Sequence, residues 1–257
     1  MERKILKNKP LVEAIFELRW TLNRSKTENK IDPNYKILIG RIYDKVKEEY
    51  PFYEQLPSAN IPDEMAEYVV QYRFRKDKDK WPLIQIGPGI VTLNDTENYT
   101  WEDFEKRIEN IVEKIFDLYS DSRDFKISGL ILRYIDAIDF DHKNNDIFTF
   151  LREKMKTDIK LHNKIFDSTG LIKSPSNFDL RFSFLSTKPT GEIHLRFNFG
   201  KKENRTLLIW ETMLQSIGTS TPNTKEKIAN WVNKAHKLIV YGLFFKIIEG
   251  DLERKFE

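Results

Sequence analysis

A two-residue alternation between residues 10 and 20 constrains the fold more than any other feature of this sequence. Glu13, Glu17 and Arg19 fall on one side of the alternation, where Ile15 is the single apolar residue. Successive side chains of a strand point to opposite faces of a sheet, so the pattern predicts a half-buried strand. Pro10 at its first residue needs no ladder hydrogen bond, and we place this strand near the middle of a sheet. The other side is apolar throughout: Val12, Ala14, Phe16, Leu18 and Trp20.

The rest of the chain repeats one order of elements. Periodicity predicts strand, helix, three strands and helix over residues 10–119, and the same order again over 126–249. The clearest helix begins after Thr100, with Glu102 and Asp103 in its first turn, where the helix dipole favours acidic residues. We therefore predict an α+β fold of mostly antiparallel sheets with helices packed on one face.

This order of elements suggests two pseudo-repeated β-α-β-β-β-α halves. The N-terminal half would cover 1–122 and the C-terminal half 123–257, packed tightly enough to count as one domain. Because no residue-level repeat is visible, the duplication is inferred from the order of elements alone.

The last predicted helix departs from a simple amphipathic stripe. Its second part, Leu238–Ile248, carries Val240, Tyr241 and Phe244 off the main apolar face. A helix that is apolar all round is buried on several sides. Two arrangements satisfy this: the helix lies between two half-sheets, or it forms a subunit contact.

Composition excludes several chemistries. The 257 residues are 40% hydrophobic, which is enough for a substantial core, and 43 basic against 40 acidic residues leave a formal charge of +3. The chain contains no cysteine, which excludes disulfides, thiolate zinc sites, iron–sulfur clusters and a cysteine nucleophile. A cysteine-free chain without an N-terminal apolar run fits the cytoplasm. The longest apolar run, Leu238–Phe245, is shorter than the roughly 20 residues of a membrane span, so we expect no membrane association.

Both ends of the chain resemble a known family. Pro10–Trp20 (PLVEAIFELRW) resembles the N-terminal strand of a sporadically distributed family of uncharacterised prokaryotic proteins, and Ala235–Phe245 (AHKLIVYGLFF) resembles its closing helix. This family has no established activity, so the resemblance implies no catalytic residues. Its patchy distribution associates it with mobile or defence-linked genes.

Two polar strand faces are the candidate binding surfaces. Glu17 and Arg19 are neighbours on the first strand and can pair with each other or line a groove. A second face carries alternating polar residues opposite those of the preceding strand, and its simplest interpretation is a solvated hairpin with cross-strand charge pairs. The residues of this second face are Glu192, His194, Arg196 and Asn198, opposite Asp179, Arg181 and Ser183.

Two further clusters have weaker patterns. Carboxylates at Asp136, Asp139 and Asp141, followed by His142, have the chemistry to bind a divalent ion. No glycine-bearing calcium loop accompanies them, so a strand that ends in solvent is the simpler interpretation. We therefore predict no metal site. A basic region could contact phosphates, although a solvated helix and loop explains it as well: Arg152, Lys154, Lys156, Lys160 and Lys164.

No catalytic motif is present, and we predict no catalytic residue and no cofactor. There is no phosphate-cradling glycine loop, dinucleotide fingerprint, nucleophile elbow or pair of histidines at helical spacing. The prediction is a non-catalytic protein-interaction component that binds a protein partner or a second copy of itself. One alternative is a nucleic-acid-binding regulator linked to defence or toxin–antitoxin systems. Another is a small-molecule binder with a cavity between a sheet and the final helix.

Overall fold

The computed structural model describes residues 6–24, 30–96, 98–119, 125–141 and 144–257. The strands are β1 (Leu11–Trp20), β2 (Asn23–Arg24), β3 (Lys30–Ile31), β4 (Phe52–Gln55), β5 (Tyr72–Arg75), β6 (Leu83–Gly87), β7 (Ile90–Asp95), β8 (Ile127–Asp139), β9 (Asp179–Thr187), β10 (Thr190–Lys202) and β11 (Arg205–Gln215). The helices are α1 (Tyr35–Val46), α2 (Trp101–Leu118), α3 (Ile147–Lys154), α4 (Lys225–Lys237), α5 (Phe245–Ile248) and α6 (Asp251–Phe256), and a π-helical segment, Leu238–Phe244, joins α4 to α5. None of the helices in these ranges combines the length and apolar character that spanning a bilayer requires.

Nine strands form one antiparallel sheet in the order β4-β5-β6-β7-β1-β8-β11-β10-β9. The α+β prediction is confirmed, and β1 lies in the middle of the sheet as its alternation predicts. Each half contributes a contiguous block of strands, and the two blocks meet where β1 pairs with β8. Both blocks follow the predicted order of elements, with β4 as an additional strand in the first. The proposed boundary at 122/123 lies outside the described residues, and the duplication stays a prediction.

The helices pack on one face of the sheet, which we call the helix face. From β1 it carries Ala14, Phe16, Leu18 and Trp20, each at most 1% exposed. Burying a side chain the size of Phe16 or Leu18 contributes roughly 1.5–3 kcal/mol. The opposite face, which we call the open face, carries the polar alternates of the same strands.

Helix α2 forms where its local signals predict it. The Thr100 hydroxyl accepts a hydrogen bond from the backbone N–H of Asp103 and caps the first turn. Its apolar stripe is buried against the helix face: Phe104, Ile108, Ile111, Val112 and Ile115.

Three local expectations differ from the structure. Val12 is 48% exposed, because a β-bulge between Leu11 and Glu13 shifts the register of β1 against β8 and removes Val12 from the apolar side. The alternation of Tyr68, Val70, Tyr72 and Phe74 predicts a strand from residue 67, but the strand begins only at Tyr72, after a left-handed Tyr68 (φ 57°). The C-terminal helix packs on one continuous sheet, so the expectation that it lies between two half-sheets is wrong.

Candidate ligand-binding cavity

A cavity of about 200 Å³ lies between the helix face of the sheet and the C-terminal π-helical segment. Its floor consists of Tyr134 and Asp136 from β8 and Thr212 from β11, all of them buried. The exposed residues Lys9 and Thr100 also line it. The cavity therefore runs from the protein surface down to the central strands.

Two irregularities in the backbone shape this cavity. The bulge in β1 leaves Leu11 on the helix face, paired with Asp136, where it becomes part of the lining. The π-helical segment contributes Val240, Tyr241 and Phe244 to the opposite wall. Bulges and π-helical turns occur often beside functional sites, because they re-aim side chains that a regular element would direct elsewhere.

Gly242 leaves room for the Leu238 side chain in the π-helical segment. A Cβ atom at this position would lie 3.0 Å from Cδ1 of Leu238, which is closer than ordinary van der Waals contact. The apolar residues off the main face of this helix, Val240, Tyr241 and Phe244, line the cavity beside the wider π-helical turn.

Asp136 is the unusual residue of the cavity floor. The residue is 4% exposed, and no hydrogen-bond donor contacts its carboxyl group within the described part of the chain. Burial in apolar surroundings disfavours the charged form and raises the pKa of Asp136 to about 8. Trp210, directly opposite on β11, has a buried indole N–H that also lacks a partner among the described residues. Buried polar groups are hydrogen-bonded in most native proteins, so a carboxyl group left unpaired beside a cavity points to a ligand.

A row of hydrogen-bonded side chains adjoins the carboxyl group. The hydroxyl groups of Tyr99 and Tyr134 are 3.0 Å apart, and the Tyr134 hydroxyl lies 2.9 Å from Nδ1 of His236. The His236 ring stacks on Trp101, with centroids 3.7 Å apart and planes within 4°. Burial, and then the nearby charge of Lys237, lower the pKa of His236 to about 3. The imidazole is therefore neutral at physiological pH and positions the Tyr134 hydroxyl without adding a charge.

The predicted binding residues of the strands all lie on the open face, away from this cavity. One row of cross-strand partners runs Glu17, Ile131, Gln215 and Glu192, so Glu17 and Glu192 are three strand spacings apart, or about 14 Å. His194 follows on β10, with Nδ1 2.8 Å from the Ser183 hydroxyl.

Most charges on the open face are already paired. Arg19 forms an ion pair with Glu17, and Asp179 accepts hydrogen bonds from both Arg196 and Arg181. These two guanidinium groups hold the pKa of Asp179 well below its usual range. The structure thus places the six predicted residues on one face without forming a single compact cluster.

The basic region lies around and after α3. Arg152 pairs with Glu153 and Lys154 with Asp251, whereas Lys160 and Lys164 are exposed in the following loop. Lys156 follows α3 with a left-handed backbone (φ 49°).

The acidic set is divided between the two faces of the sheet. Asp139 pairs with Arg205 on the open face and Asp141 accepts a hydrogen bond from Asn144, while Asp136 lies on the helix face. His142 lies outside the described residues. Within the described ranges, no group of three or more His, Cys, Asp or Glu side chains is arranged to hold a metal ion.

The sequence predicts a cavity between a sheet and the final helix only as one alternative and without its lining residues, although one signal for the floor residue is present. In β8 the even-numbered residues Leu130, Leu132 and Ile138 are buried on the helix face, and Asp136 shares their parity. A carboxyl group at an apolar-face position of a long strand indicates a buried charge. Tyr99 and His236 had no such signal, because only the folded chain brings them to Tyr134.

Comparison with known proteins assigns no family and no function to this chain. Neither a model of a known protein family nor a curated protein matches the chain.

Proposed function

We propose that this protein binds a small organic molecule in the cavity between the sheet and the C-terminal helix. The observation that carries the proposal is the buried carboxyl group of Asp136, unpaired within the described chain, at the floor of an otherwise mostly apolar cavity. Ligand sites are typically apolar concavities with a few polar groups that fix the ligand's orientation. Here Asp136 and Thr212 are such groups, and the π-helical segment supplies apolar wall.

The volume limits the size of the ligand. A cavity of roughly 150 Å³ accommodates benzene, so about 200 Å³ suits a compact molecule of one ring or a short alkyl chain. A nucleotide or a large cofactor is too big for this space.

A fragment-binding experiment with a filled cavity tests the proposal. Val240 lines the cavity, and Val240→Trp places a large side chain into it, whereas Ile37→Trp adds the same side chain at an exposed position of α1. We expect ligand-observed NMR to detect small aromatic fragments that bind the wild type and Ile37→Trp but not Val240→Trp. Fragments that bind all three proteins equally, or none that bind the wild type, would refute the proposal.

The second candidate function is the binding of a protein partner, or of a second copy of the chain, through the open face. It is favoured by one observation on this face, which carries all six predicted residues: the His194 Nε2 atom is buried without a hydrogen-bond partner among the described residues. That nitrogen is 3.7 Å from a Glu192 oxygen, which is beyond hydrogen-bonding distance.

Substitution on the open face tests this second candidate. Partner capture in the presence of nuclease, with light scattering for self-association, compares the wild type with His194→Asp and with Lys114→Asp on α2. Specific loss of a defined complex in His194→Asp alone would support the candidate, and equal retention in all three proteins would contradict it.

Nucleic-acid binding has less support as a proposal, because Arg152 and Lys154 already pair with carboxylates. We also propose a cytoplasmic location, which the cysteine-free composition supports. We further propose membership of the sporadically distributed family, which the segments Pro10–Trp20 and Ala235–Phe245 support.

A further inference from the structure

We propose that the cavity ligand is a small organic cation, an amine with a compact apolar or aromatic body whose ammonium group pairs with the Asp136 carboxylate. The inference rests on the proposed function, since it names the chemical class of the molecule that the cavity binds.

The need for a donor is the first argument. The carboxyl group of Asp136 lies at the floor of the cavity with no donor from the described chain. Lys9, the cationic residue of the lining, is engaged elsewhere, because its Nζ donates to the backbone carbonyl oxygen of Tyr99 at 2.6 Å. A ligand that carries an N–H donor and a positive charge satisfies both the hydrogen-bonding capacity and the charge of an ionised carboxylate.

The aromatic walls are the second argument. Six aromatic side chains line the cavity: Tyr99, Trp101, Tyr134, Tyr241, Phe244 and Phe245. The face of an aromatic ring attracts a cation, and the attraction is stronger where the contact is shielded from water. A carboxylate surrounded by aromatic rings favours a cation over an anion, which both features would repel.

A neutral ligand is the alternative to a cation, and the two classes of ligand differ in the number of protons that Asp136 releases on binding. An uncharged Asp136 can donate a hydrogen bond to a neutral acceptor, whereas an ammonium group requires the ionised form. The other titratable groups of the lining are Lys9, Tyr99, Tyr134 and His236. Burial raises the pKa of both tyrosines and lowers that of His236, so none of these three changes charge near neutral pH. Binding of an amine below the pKa of Asp136 therefore releases about one proton from this residue, whereas binding of a neutral acceptor releases none.

Calorimetry with three probes of one shape tests the inference. Benzylamine, benzyl alcohol and toluene are titrated into the wild type and Asp136→Asn at neutral pH, in two buffers with different ionisation enthalpies. We expect benzylamine to bind the wild type at least about tenfold more tightly than either neutral probe, with release of close to one proton. In Asp136→Asn both the preference and the proton release should disappear.

Each alternative result has a definite meaning. If benzyl alcohol or toluene binds the wild type as tightly as benzylamine, the cation inference is wrong while cavity binding stands. If no probe binds, the inference is also wrong, and the cavity itself is judged by the fragment experiment with Val240→Trp. Should Asp136→Asn fail to fold, the pH dependence in the wild type decides. Benzylamine affinity should fall about tenfold per pH unit below the pKa of Asp136, and a flat dependence would overturn the inference.

Discussion

Replacing Asp136 by Asn should change how the stability of this protein depends on pH. Asp136 is buried on the helix face without a donor in the described chain, and its pKa rises from 3.8 to about 8 because its charged form is desolvated. Between these two values the folded state binds a proton that the unfolded state has lost. Stability is therefore retained at low pH and lost as the pH rises through this window.

The magnitude follows from the two pKa values. One unit of pKa shift corresponds to about 1.36 kcal/mol, so the free energy of unfolding should fall by up to ~1.4 kcal/mol per pH unit inside the window. From about pH 5 to about pH 7 the Asp136 contribution is a loss of roughly 2–3 kcal/mol. Asn has nearly the same shape and does not ionise, so Asp136→Asn should not show this loss.

Urea denaturation followed by the fluorescence of the five tryptophans measures the effect. The informative quantity is the difference in unfolding free energy between Asp136→Asn and the wild type, because the opposite contribution of His236, present in both proteins, cancels. Asp139→Asn is the matched control, since Asp139 lies on the same strand with its side chain exposed and paired with Arg205. A difference that does not grow with pH, or a wild type that gains stability relative to Asp136→Asn as the pH rises, would refute the reasoning.

Three further predictions concern the helices. Thr100→Ala removes the cap of α2 and should lower stability by about 1 kcal/mol, measured by thermal denaturation; an unchanged midpoint would contradict the cap. His236 is neutral in the fold, so its contribution to the free energy of unfolding should be lost as the pH falls from about 6.5 toward 3. In acid titrations followed by circular dichroism, His236→Phe should lose less stability over this range than the wild type. Parallel curves would contradict this. Phe244 is half-buried and stacks on Trp210, so Phe244→Glu should destabilise the chain by roughly 1–3 kcal/mol. Light scattering that shows a dimer in the wild type and a fully stable monomer in Phe244→Glu would instead place this residue at a subunit contact.

Elements whose signals are local could be predicted from the sequence. The alternation of Pro10–Trp20 specifies a strand with one apolar face, and the cap at Thr100 with its apolar stripe specifies α2. The α+β class and the helices on one face follow from the same patterns, since each element shows which side it must bury. The polar residues of the open face, Glu17 and Arg196 among them, were identified for the same reason.

Tertiary structure alone decided which residues meet in the cavity. Tyr134 meets Tyr99 from 35 residues away and His236 from 102 residues away along the chain, and no local pattern specifies such distant pairs. The bulge that leaves Leu11 on the helix face and the π-helical turn at Leu238–Phe244 are responses of the backbone to packing. Asp136 acquires its raised pKa only when the C-terminal segment covers β8, because desolvation depends on every group that surrounds the carboxyl and not on the residues beside it in sequence.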